Sequence, residues 1–490
     1  MPDLIRIHPK DNVAVALHTV AAGTTFEGVT AQTEIPQGHK MALTALPANA
    51  QVIKYGFSIG HTTQAIAPGQ WVHTHNMATN LSGEMTYSYA PAIQHLQSVP
   101  AATFRGYRRK DGKVGVRNEI WIIPAVGCVN DVAKALVREN QDLVQGSIDG
   151  LYTFPHPFGC SQTGEDHAQT RKLLAALAQH PNAGAVLVLG LGCENLTQEQ
   201  FRAELGEFDE NRIKFLVCQE VSDEMETGRK LLQECAAFAG QFQREDIPAS
   251  ELIIGTKCGG SDGLSGITAN PVVGRFSDML VAQGGSTVLT EVPEMFGAEG
   301  FLMNRCISKT VFDKAVNMIN GFKAYFIRHN EVVYDNPSPG NKQGGITTLE
   351  DKSCGCVQKG GVAPIMDVIG YGDQVTVKGL NMLYGPGNDL VSATALTAAG
   401  AHIILFTTGR GTPFGAPAPT MKLATNTPLA TKKANWIDFN AGVVADGSRT
   451  LEEAASDLMA AVLKIASGQQ TCAEKHGFRE ISIFKDGVTL

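Results

Sequence analysis

The first part of the chain, to about residue 90, alternates short β-branched or aliphatic runs with glycine and proline. These apolar runs cover residues 13–17, 38–43, 51–56 and 71–73. Short apolar runs that are bounded by turn residues are typical of β-strands in small all-β domains. The pattern therefore predicts a small β domain over residues 1–92.

From residue 104 onward, strongly apolar runs alternate with helical stretches. Residues 119–126 and 183–192 have the composition of buried strands, and helices are predicted to begin at about Asp131 and Thr197. Further buried strands are predicted at 252–255 and 401–406. This alternation favours a doubly wound, Rossmann-like parallel sheet with helices on its faces.

A chain of 490 residues is too long for one hydrophobic core, because single cores stop growing at roughly 250 to 300 residues. The stretch 80–103 is polar and shows no period, and a second polar stretch, 241–250, precedes a predicted strand. We place a linker at 93–104, a middle α/β domain with a possible dimerisation role at 105–248, and a C-terminal α/β domain at 249–490. The fold class is therefore α/β, with a small β domain joined to a large parallel region of two subdomains.

Composition and charge exclude several classes of function. A net charge of −8 disfavours binding to nucleic acid, which needs clustered lysine and arginine. No apolar run reaches the roughly 18 residues of a membrane span, and the first residues do not resemble a signal peptide. We expect a cytoplasmic protein without membrane or nucleic-acid partners, whose ten cysteines remain reduced.

Cysteines recur in the turns that follow predicted strands. The four turn cysteines are Cys128, Cys160, Cys193 and Cys258. Ligands bind beyond the carboxyl ends of parallel strands, and thiolates suit iron or zinc, so these turns are candidates for a metal site that includes oxygen donors. Each cysteine alone is explained equally well as a small buried apolar residue. The pair Cys354 and Cys356 is weak evidence for a metal cluster.

Glycine-rich turns give a second indication of ligand binding. They lie at 190–192, 259–260, 344–345, 385–387 and 409–411. Backbone N–H groups at such turns can hold a substrate carboxylate. A dinucleotide fingerprint is incomplete, because the turn at 190–195 lacks the third glycine. A dehydrogenase that uses NAD is disfavoured but remains an alternative from another reaction class, and no P-loop sequence follows any glycine turn.

The small β domain is dense in histidine and lysine. These side chains are His39, Lys40, Lys54, His61, His73 and His75. Residues 73 and 75 point to the same face of a strand, so the two imidazoles can converge on a metal or on a substrate proton. Acidic candidates in later turns are Asp262, Glu291, Glu294 and Asp389. Carboxylates near turns are more often helix caps or solvated groups.

Taken together, these strings resemble the altronate/galactarate dehydratase family over essentially the whole chain. The phrases at 38–40, 52–56, 59–60 and 72–76 resemble its N-terminal β-clip domain of the SAF type. The phrases at 114–118, 159–162, 180–184 and 190–195 resemble its large domain. The most specific phrases are those at 258–271, 290–297, 336–341 and 406–413. The opening of the chain and the ending at 485–490 resemble the altronate branch, and Cys354 departs from the family pattern.

The resemblance implies a hydro-lyase that converts D-altronate to 2-dehydro-3-deoxy-D-gluconate in hexuronate catabolism. A galactarate dehydratase, and a sulfolactate sulfo-lyase whose two parts are fused, remain alternatives. A more distant alternative is a sugar-acid sensor without catalysis. The family implies Fe²⁺, a Rossmann-like C-terminal part and a homodimer. Mn²⁺ or another divalent metal stays open, as does an iron–sulfur cluster.

Such a reaction removes the C2 proton of a 2,3-dihydroxy acid and then expels the C3 hydroxyl. The C2 proton is barely acidic, so a divalent metal is needed to stabilise the charge that develops. We assign the metal to Cys160, Cys193, Cys258, Glu291 and Cys356. The acid and base groups are assigned to His39, Lys54, His61, His73 and His75, with the β domain closing over the substrate. Substrate contacts are assigned to Arg117, Asn118, Ser261, Asp262, Asn388 and Arg410, the arginines through bidentate pairing with a carboxylate.

Overall fold

A computed structural model describes residues 3–81 and 85–487 of the chain. Residues 488–490 of the ending that resembles the altronate branch lie outside the described residues. The predicted α/β class is confirmed: a small β domain precedes a large region that contains two parallel sheets. The helices of the described residues do not include one with the length and hydropathy needed to cross a membrane.

The N-terminal β domain is built from nine short strands. They are β1 (Leu4–Ile5), β2 (Val13–Ala16), β3 (Thr25–Phe26), β4 (Val29–Thr30), β5 (Lys40–Ala42), β6 (Gln51–Lys54), β7 (Phe57–Thr62), β8 (Trp71–Val72) and β9 (Met77–Ala78). Strands β1-β2-β5-β8 form one antiparallel sheet, β6-β7-β9 a second, and β3-β4 a hairpin. The four residues of β2 are all buried, which explains their unbroken apolar run.

The N-terminal β domain shares a hydrophobic core with the C-terminal part of the chain. Val52 and Ile59 belong to the same buried cluster as Met295, Phe296 and Leu349. The extended stretch that follows the domain also contacts the C-terminal part. Apolar side chains that leave water at such a contact each contribute about 1.5 to 3 kcal/mol. The β domain is therefore packed against the rest of the chain in this structure.

The connecting stretch 85–102 has no helix or strand and is held by side-chain contacts. Tyr87 Oη donates to Glu299 Oε1 over 2.8 Å, and Tyr89 Oη donates to the carbonyl of Cys306 over 2.9 Å. The predicted absence of regular structure between the domains is thus found in the residues described here. The tyrosines attach the stretch to the C-terminal part of the chain.

The middle domain contains a four-stranded parallel sheet in the order β13-β12-β14-β15 and a smaller antiparallel sheet, β11-β10-β16. Its strands are β10 (Thr103–Arg108), β11 (Val114–Gly115), β12 (Glu119–Pro124), β13 (Gly150–Thr153), β14 (Ala183–Gly190), β15 (Ile213–Val217) and β16 (Arg244–Pro248). Its helices are α1 (Asn130–Glu139), α2 (Gly164–Ala178), α3 (Gln198–Leu205) and α4 (Glu224–Ala239). The helix predicted near Thr197 begins at Gln198, because the Thr197 side chain caps it by accepting from the backbone N–H of Gln200.

The C-terminal domain contains a seven-stranded parallel sheet in the order β19-β20-β18-β17-β21-β22-β23. Its strands are β17 (Ile253–Cys258), β18 (Ser286–Leu289), β19 (Ile365–Ile369), β20 (Leu380–Leu383), β21 (Ile403–Thr408), β22 (Thr420–Ala424) and β23 (Phe439–Asn440). Its helices are α5 (Ala269–Ala282), α6 (Glu299–Met303), α7 (Lys309–Arg328), α8 (Pro339–Gln343), α9 (Leu349–Cys356), α10 (Asp389–Ala398), α11 (Thr427–Lys432), α12 (Leu451–Ala466) and α13 (Cys472–Lys475). The buried strands predicted at 252–255 and 401–406 are β17 and β21, which pair with each other in parallel.

Candidate active site

A cysteine stands at the carboxyl end of the central strand of the seven-stranded sheet. Strand β17 pairs with β18 on one side and β21 on the other, and it ends at Cys258. Gly259 and Gly260 follow at once. A side chain at Gly259 would approach the carboxylate of Asp389 to 2.6 Å, so glycine is required there. The turn therefore presents a thiol at the edge of the sheet where ligands bind.

Two further donor atoms converge on this thiol. Cys258 Sγ donates to Glu294 Oε2 over 2.9 Å, Cys356 Sγ donates to the same oxygen over 3.1 Å, and the two sulfurs are 3.3 Å apart. Glu294 lies in a 3-10 turn after β18, and Cys356 is the last residue of α9. We call these three buried residues the thiol–carboxylate cluster.

The thiol–carboxylate cluster has the donor atoms of a metal site. Within residues 3–81 and 85–487, it is the one group of three or more His, Cys, Asp or Glu whose donor atoms all lie within 4.8 Å of one another. Two sulfurs and one carboxylate oxygen combine soft and harder donors, a set that suits iron or zinc better than magnesium or calcium.

Buried lysines set the charge of the cluster. Lys352 Nζ lies 2.7 Å from Glu294 Oε1, and Lys359 Nζ donates to Cys258 Sγ over 3.0 Å. Burial raises the pKa of Glu294, but the charges of Lys352 and Lys359 outweigh burial and lower that pKa to about 2. The hydrogen bond to Cys258 and burial together raise the pKa of the Cys356 thiol well above its usual value. The carboxylate is therefore ionised at neutral pH, whereas the Cys356 thiol is protonated.

A second layer of ion pairs supports the strand end. Glu291 accepts from the backbone N–H of Cys258 over 2.8 Å and from Lys257 Nζ over 3.0 Å. Lys257 Nζ also donates to Asp389 Oδ1 over 2.6 Å. The backbone of Glu291 is in the left-handed region, with φ of 69°, where residues other than glycine are strained. Such strain persists only where surrounding contacts fix the side chain.

The charges around the cluster fit a divalent cation. Three lysines face three carboxylates, namely Lys257, Lys352 and Lys359 with Glu291, Glu294 and Asp389. A divalent cation that displaces one proton from each of the two thiols adds no net charge to this buried set. The large desolvation cost of an unbalanced buried charge is thereby avoided.

A polar cleft of about 710 Å³ opens onto the cluster. Its polar lining includes Cys258, Glu294, Asn336, Asn341, Lys342, Lys352, Asn388 and Asp389. Amide groups can both donate to and accept from hydroxyl groups, and lysine ammonium groups attract a carboxylate. The cleft therefore has the chemistry to hold a small polyhydroxy acid beside the thiol–carboxylate cluster.

The N-terminal β domain contacts the same region through a buried ion-pair triad. Lys40 Nζ and Lys54 Nζ donate to the two oxygens of Asp351, over 2.7 Å and 3.0 Å. Burial lowers the pKa of Lys40 to about 8 despite this carboxylate. Asp351 belongs to α9, which also carries Lys352 and Cys356. The triad therefore fixes the β domain to the helix that builds the cluster.

Two buried histidines lie on the face of the β domain that contacts residues 343–347. His39 Nδ1 accepts from Trp71 Nε1 over 3.1 Å, and His39 Nε2 lies 3.2 Å from the carbonyl of Gln343, so both ring nitrogens are engaged. His73 Nδ1 lies 3.3 Å from Thr347 Oγ1. Burial lowers the pKa of His73 to about 3, and burial also lowers that of His39. Both imidazoles are neutral at physiological pH.

Four of the residues assigned to substrate binding lie on the turns around the cleft or behind it. Asn388 lines the cleft. Arg410 is exposed and donates to the carbonyl of Gly340 over 3.1 Å. Ser261 is buried, and its Oγ lacks a partner among the described residues. Asp262 accepts from Ser265, Thr425 and Asn426 behind the turn.

The structure does not bring Arg117 and Asn118 to this site. Arg117 is buried and forms a bidentate ion pair with Glu474, at 2.8 Å and 3.0 Å. Asn118 accepts from Arg109 Nη1 over 2.7 Å and donates to the carbonyl of Ala239 over 2.9 Å. These contacts occupy the two side chains at the amino end of β12.

Other assigned residues are also separated from the cluster. His61 and His75 lie at the surface of the β domain, where His61 Nδ1 is 2.8 Å from Asn80 Oδ1 and His75 packs against Trp71. Cys160 and Cys193 follow β13 and β14 of the middle sheet. The metal set assigned from the sequence is thus divided between the two parallel sheets.

Sequence reasoning missed Lys352, Lys359 and Asp351 and left Glu294 without a role. The available signal was the string at 349–356, in which four charged or polar residues precede Gly355 inside a helix that is buried throughout. Lys352 and Cys356 are four residues apart and so share one helix face. A lysine in a short helix is most often solvated, and for that reason the string carries little weight alone.

Comparison with known proteins agrees with this architecture. Three family profiles match in order: the altronate/galactarate dehydratase SAF domain at 2–80, the D-galactarate dehydratase/altronate hydrolase second domain at 106–240, and the D-galactarate/altronate dehydratase C-terminal domain at 249–489. Altronate dehydratase of Bacillus subtilis is 51% identical, with 100% of each chain covered. Altronate dehydratase of Escherichia coli is 50% identical, with 99% of each chain covered.

A more distant relative belongs to the same group. Galactarate dehydratase (L-threo-forming) of Escherichia coli is 33% identical over 98% of this chain and 96% of the relative. Matches of this length extend over the β domain and both parallel sheets, including the residues of the thiol–carboxylate cluster. The chain therefore belongs to the altronate/galactarate dehydratase family.

Proposed function

We propose that this protein is a hydro-lyase that dehydrates D-altronate to 2-dehydro-3-deoxy-D-gluconate. Two relatives with identities of 51% and 50% over the full chain are altronate dehydratases, whereas the galactarate dehydratase is 33% identical. The difference in identity supports altronate over galactarate as the substrate.

One structural observation carries the mechanism: the thiol–carboxylate cluster lies at the wall of a polar cleft of about 710 Å³. We propose that Cys258, Cys356 and Glu294 hold Fe²⁺. When bound, a divalent metal supplies Lewis acidity toward the carboxylate and adjacent hydroxyl of a sugar acid. Two thiols and a buried carboxylate fit that ion in donor type and in charge.

The residues of the cleft bind and orient the substrate in this proposal. Asn336, Asn341 and Asn388 can exchange hydrogen bonds with the hydroxyl groups of the sugar acid, and Lys342 attracts its carboxylate. Holding the reacting carbon in a fixed orientation removes much of the entropic part of the barrier. The glycine turn at 259–260 leaves room for the substrate to approach the cluster.

Proton transfer is assigned to one residue on each side of the site. His73 is neutral, and its Nδ1 faces Thr347, so Nε2 can accept the C2 proton when the β domain and the cleft close on the substrate. Lys352 lines the cleft and holds its proton, because the charge of Glu294 outweighs burial and raises the lysine pKa. Lys352 can therefore protonate the departing C3 hydroxyl. Lys54 is fully buried against Asp351 and acts as a positioning residue.

An anaerobic assay with purified protein, Fe²⁺ and a thiol tests the proposal. D-altronate, galactarate and sulfolactate are supplied separately, and 2-keto acid and sulfite are measured. Keto acid from D-altronate with little from galactarate supports the proposal. Turnover of galactarate or sulfolactate without altronate would keep the site and change the substrate, and silence on all three would contradict a dehydratase.

A matched pair of variants tests the role of His73. His73→Gln is expected to lower kcat by about 10²- to 10⁴-fold, the range for loss of a general base. His18→Gln, an exposed histidine of the same β domain, is the control and is expected to keep full activity. Equal activity of the two variants would remove His73 from the mechanism.

A further inference from the structure

The four-stranded sheet of the middle domain carries a cysteine after each of its parallel strands. Cys128 follows β12, Cys160 follows β13, Cys193 follows β14 and Cys218 follows β15. All three neighbouring strand pairs in this sheet are parallel. The carboxyl ends of parallel strands meet at one edge, so the topology places all four thiols along the ligand-binding edge of one sheet.

Hydrogen bonds link the four turns into one continuous surface. Gly127 N–H donates to the carbonyl of Phe158, and Leu196 N–H donates to that of Gly159, over 2.8 Å and 3.1 Å. These bonds join the Cys128 turn to the Cys160 turn and the Cys160 turn to the Cys193 turn. Gln219 N–H donates to the carbonyl of Leu191 over 2.9 Å, which joins the Cys193 turn to Cys218.

The surroundings of these thiols differ from a packed core. Cys128 and Cys193 are exposed, and Cys160 and Cys218 are half-buried. A cysteine that serves only as a small apolar residue is normally buried. Three of the four directly follow glycine, and Gly159 and Gly192 have φ of 99° and 126°, which other residues rarely adopt.

A second observation at the same edge indicates a missing ligand. Gln162 is 3% exposed, and its Oε1 accepts from the backbone N–H of Gly159, beside Cys160, over 3.1 Å. Its Nε2 is buried without a hydrogen-bond partner among the described residues. The Nε2 of His167, whose ring hydrogen-bonds to the backbone of Asn195, is likewise buried and unpartnered. Unpartnered buried donors are rare in native proteins and often mark a bound group.

We propose that Cys128, Cys160, Cys193 and Cys218 bind a second, thiolate-ligated metal centre at the edge of the middle sheet. Thiolates are the ligands that iron–sulfur clusters and structural zinc share. Within the described residues, the four sulfurs do not form a set that one ion could bridge at 4.8 Å. An iron–sulfur cluster is larger than a single ion and holds its thiolates farther apart, so the cluster fits this spacing better.

Thiol footprinting on the full-length protein tests this site. Protein purified anaerobically is treated with N-ethylmaleimide before and after metal removal by a chelator, and labelled cysteines are identified by mass spectrometry. The four edge cysteines are expected to be labelled only after chelation, although two are exposed. Cys472, a half-buried thiol of the C-terminal domain, is the internal control and should be labelled equally in both samples. Equal labelling of Cys128 and Cys193 before and after chelation would overturn the proposal.

Metal analysis separates this site from the thiol–carboxylate cluster. The Cys258→Ala/Cys356→Ala variant is expected to retain the second centre, which the Cys160→Ser/Cys193→Ser variant loses while Cys472→Ser keeps it. Iron and acid-labile sulfide in about a four-to-four ratio per chain identify a cluster, and zinc without sulfide identifies a structural ion. Absence of both from the Cys258→Ala/Cys356→Ala variant, with circular dichroism of the folded protein, would contradict a second centre. The outcome is independent of whether altronate is the substrate.

Discussion

The two parallel sheets of this chain place cysteines at the same position and surround them differently. Cys258, after the central strand of the C-terminal sheet, is buried beside Glu294, Cys356 and Lys359. The cysteines after the strands of the middle sheet lie at the surface or are half-buried, and buried lysine–carboxylate pairs do not surround them in the described structure. The same sequence pattern therefore yields one site with balanced charges inside a cleft and one row of accessible thiols.

The comparison teaches that position on the sheet and chemistry of the site are specified separately. The βα repeat brings a cysteine to the carboxyl edge in both sheets. The chemistry at Cys258 depends on α9 and on the turn after β18, which add a thiol, a carboxylate and lysines. Segments that fold back onto the edge thus decide what the edge can bind.

The largest effect is expected from removing the buried thiol. Cys258→Ala should lower kcat on D-altronate by at least about 100-fold, above the cost of losing a group that only supports a metal ligand. Steady-state assays at saturating Fe²⁺ measure the change. Cys472→Ser in the same domain is the control. A variant with kcat within a few-fold of the parent would place the reaction elsewhere, with the middle sheet the next region to test.

Breaking the charge balance is expected to cost stability. Lys352→Met leaves Glu294 with less compensation and should lower the free energy of unfolding by about 3 to 5 kcal/mol, the usual cost of breaking a buried ion pair. Lys323→Met breaks a buried pair with Glu299 outside the cleft and should cost a similar amount. Denaturant unfolding measures both. Only Lys352→Met should also lower kcat, and equal kcat in the two folded variants would contradict the catalytic role of Lys352.

The histidine of the β domain is expected to contribute to the pH dependence of stability. Burial, with the nearby charges of Lys40 and His39, lowers the pKa of His73 to about 3, although Asp351 opposes this shift. The unfolded chain has a histidine pKa near 6.5, so below that pH the unfolded state binds the extra proton and the fold loses stability. The loss is at most about 1.4 kcal/mol per pH unit between pH 6.5 and 3.

His73→Gln removes this contribution, so its stability should fall less steeply than that of the parent between pH 7 and pH 5. Urea unfolding at several pH values gives the slopes. Parallel slopes for the two proteins would mean that His73 is protonated in the fold, contrary to its proposed role as a neutral proton acceptor.

The smallest effect is expected at a surface ion pair of the middle sheet. Lys214 on β15 lies 2.7 Å from Glu234, whose side chain is 55% exposed. Pairs of this kind contribute about 0.2 to 1 kcal/mol, so Lys214→Met should change the free energy of unfolding by less than about 1 kcal/mol. A cost comparable to that of Lys352→Met would show that the two sheets do not differ in their dependence on charge pairing.

Much of the fold was predictable because the local pattern determines it. The strands at 119–126, 183–192, 252–255 and 401–406 are confirmed, since long apolar runs next to turn residues specify buried parallel strands. The helix near Thr197 was predictable from its capping residue. The position of Cys258 at a strand end followed from the same pattern.

The site itself was only partly predictable because its contacts join distant segments. Cys258 and Cys356 are 98 positions apart, and nothing in either local string indicates that their sulfurs meet. Arg117 illustrates the reverse case, because a bidentate partner 357 positions away occupies a guanidinium that was assigned to substrate. Pairings of this kind are set by the packing of whole domains.

The central claim is that Glu294 and its two thiols hold the metal that dehydration needs. The most direct test is the Fe²⁺ concentration that gives half-maximal 2-keto acid formation from D-altronate, measured anaerobically for the parent and for Glu294→Gln. The account predicts that the variant, still folded by circular dichroism, needs at least about tenfold more iron. An unchanged half-saturating concentration together with an unchanged kcat would contradict the claim.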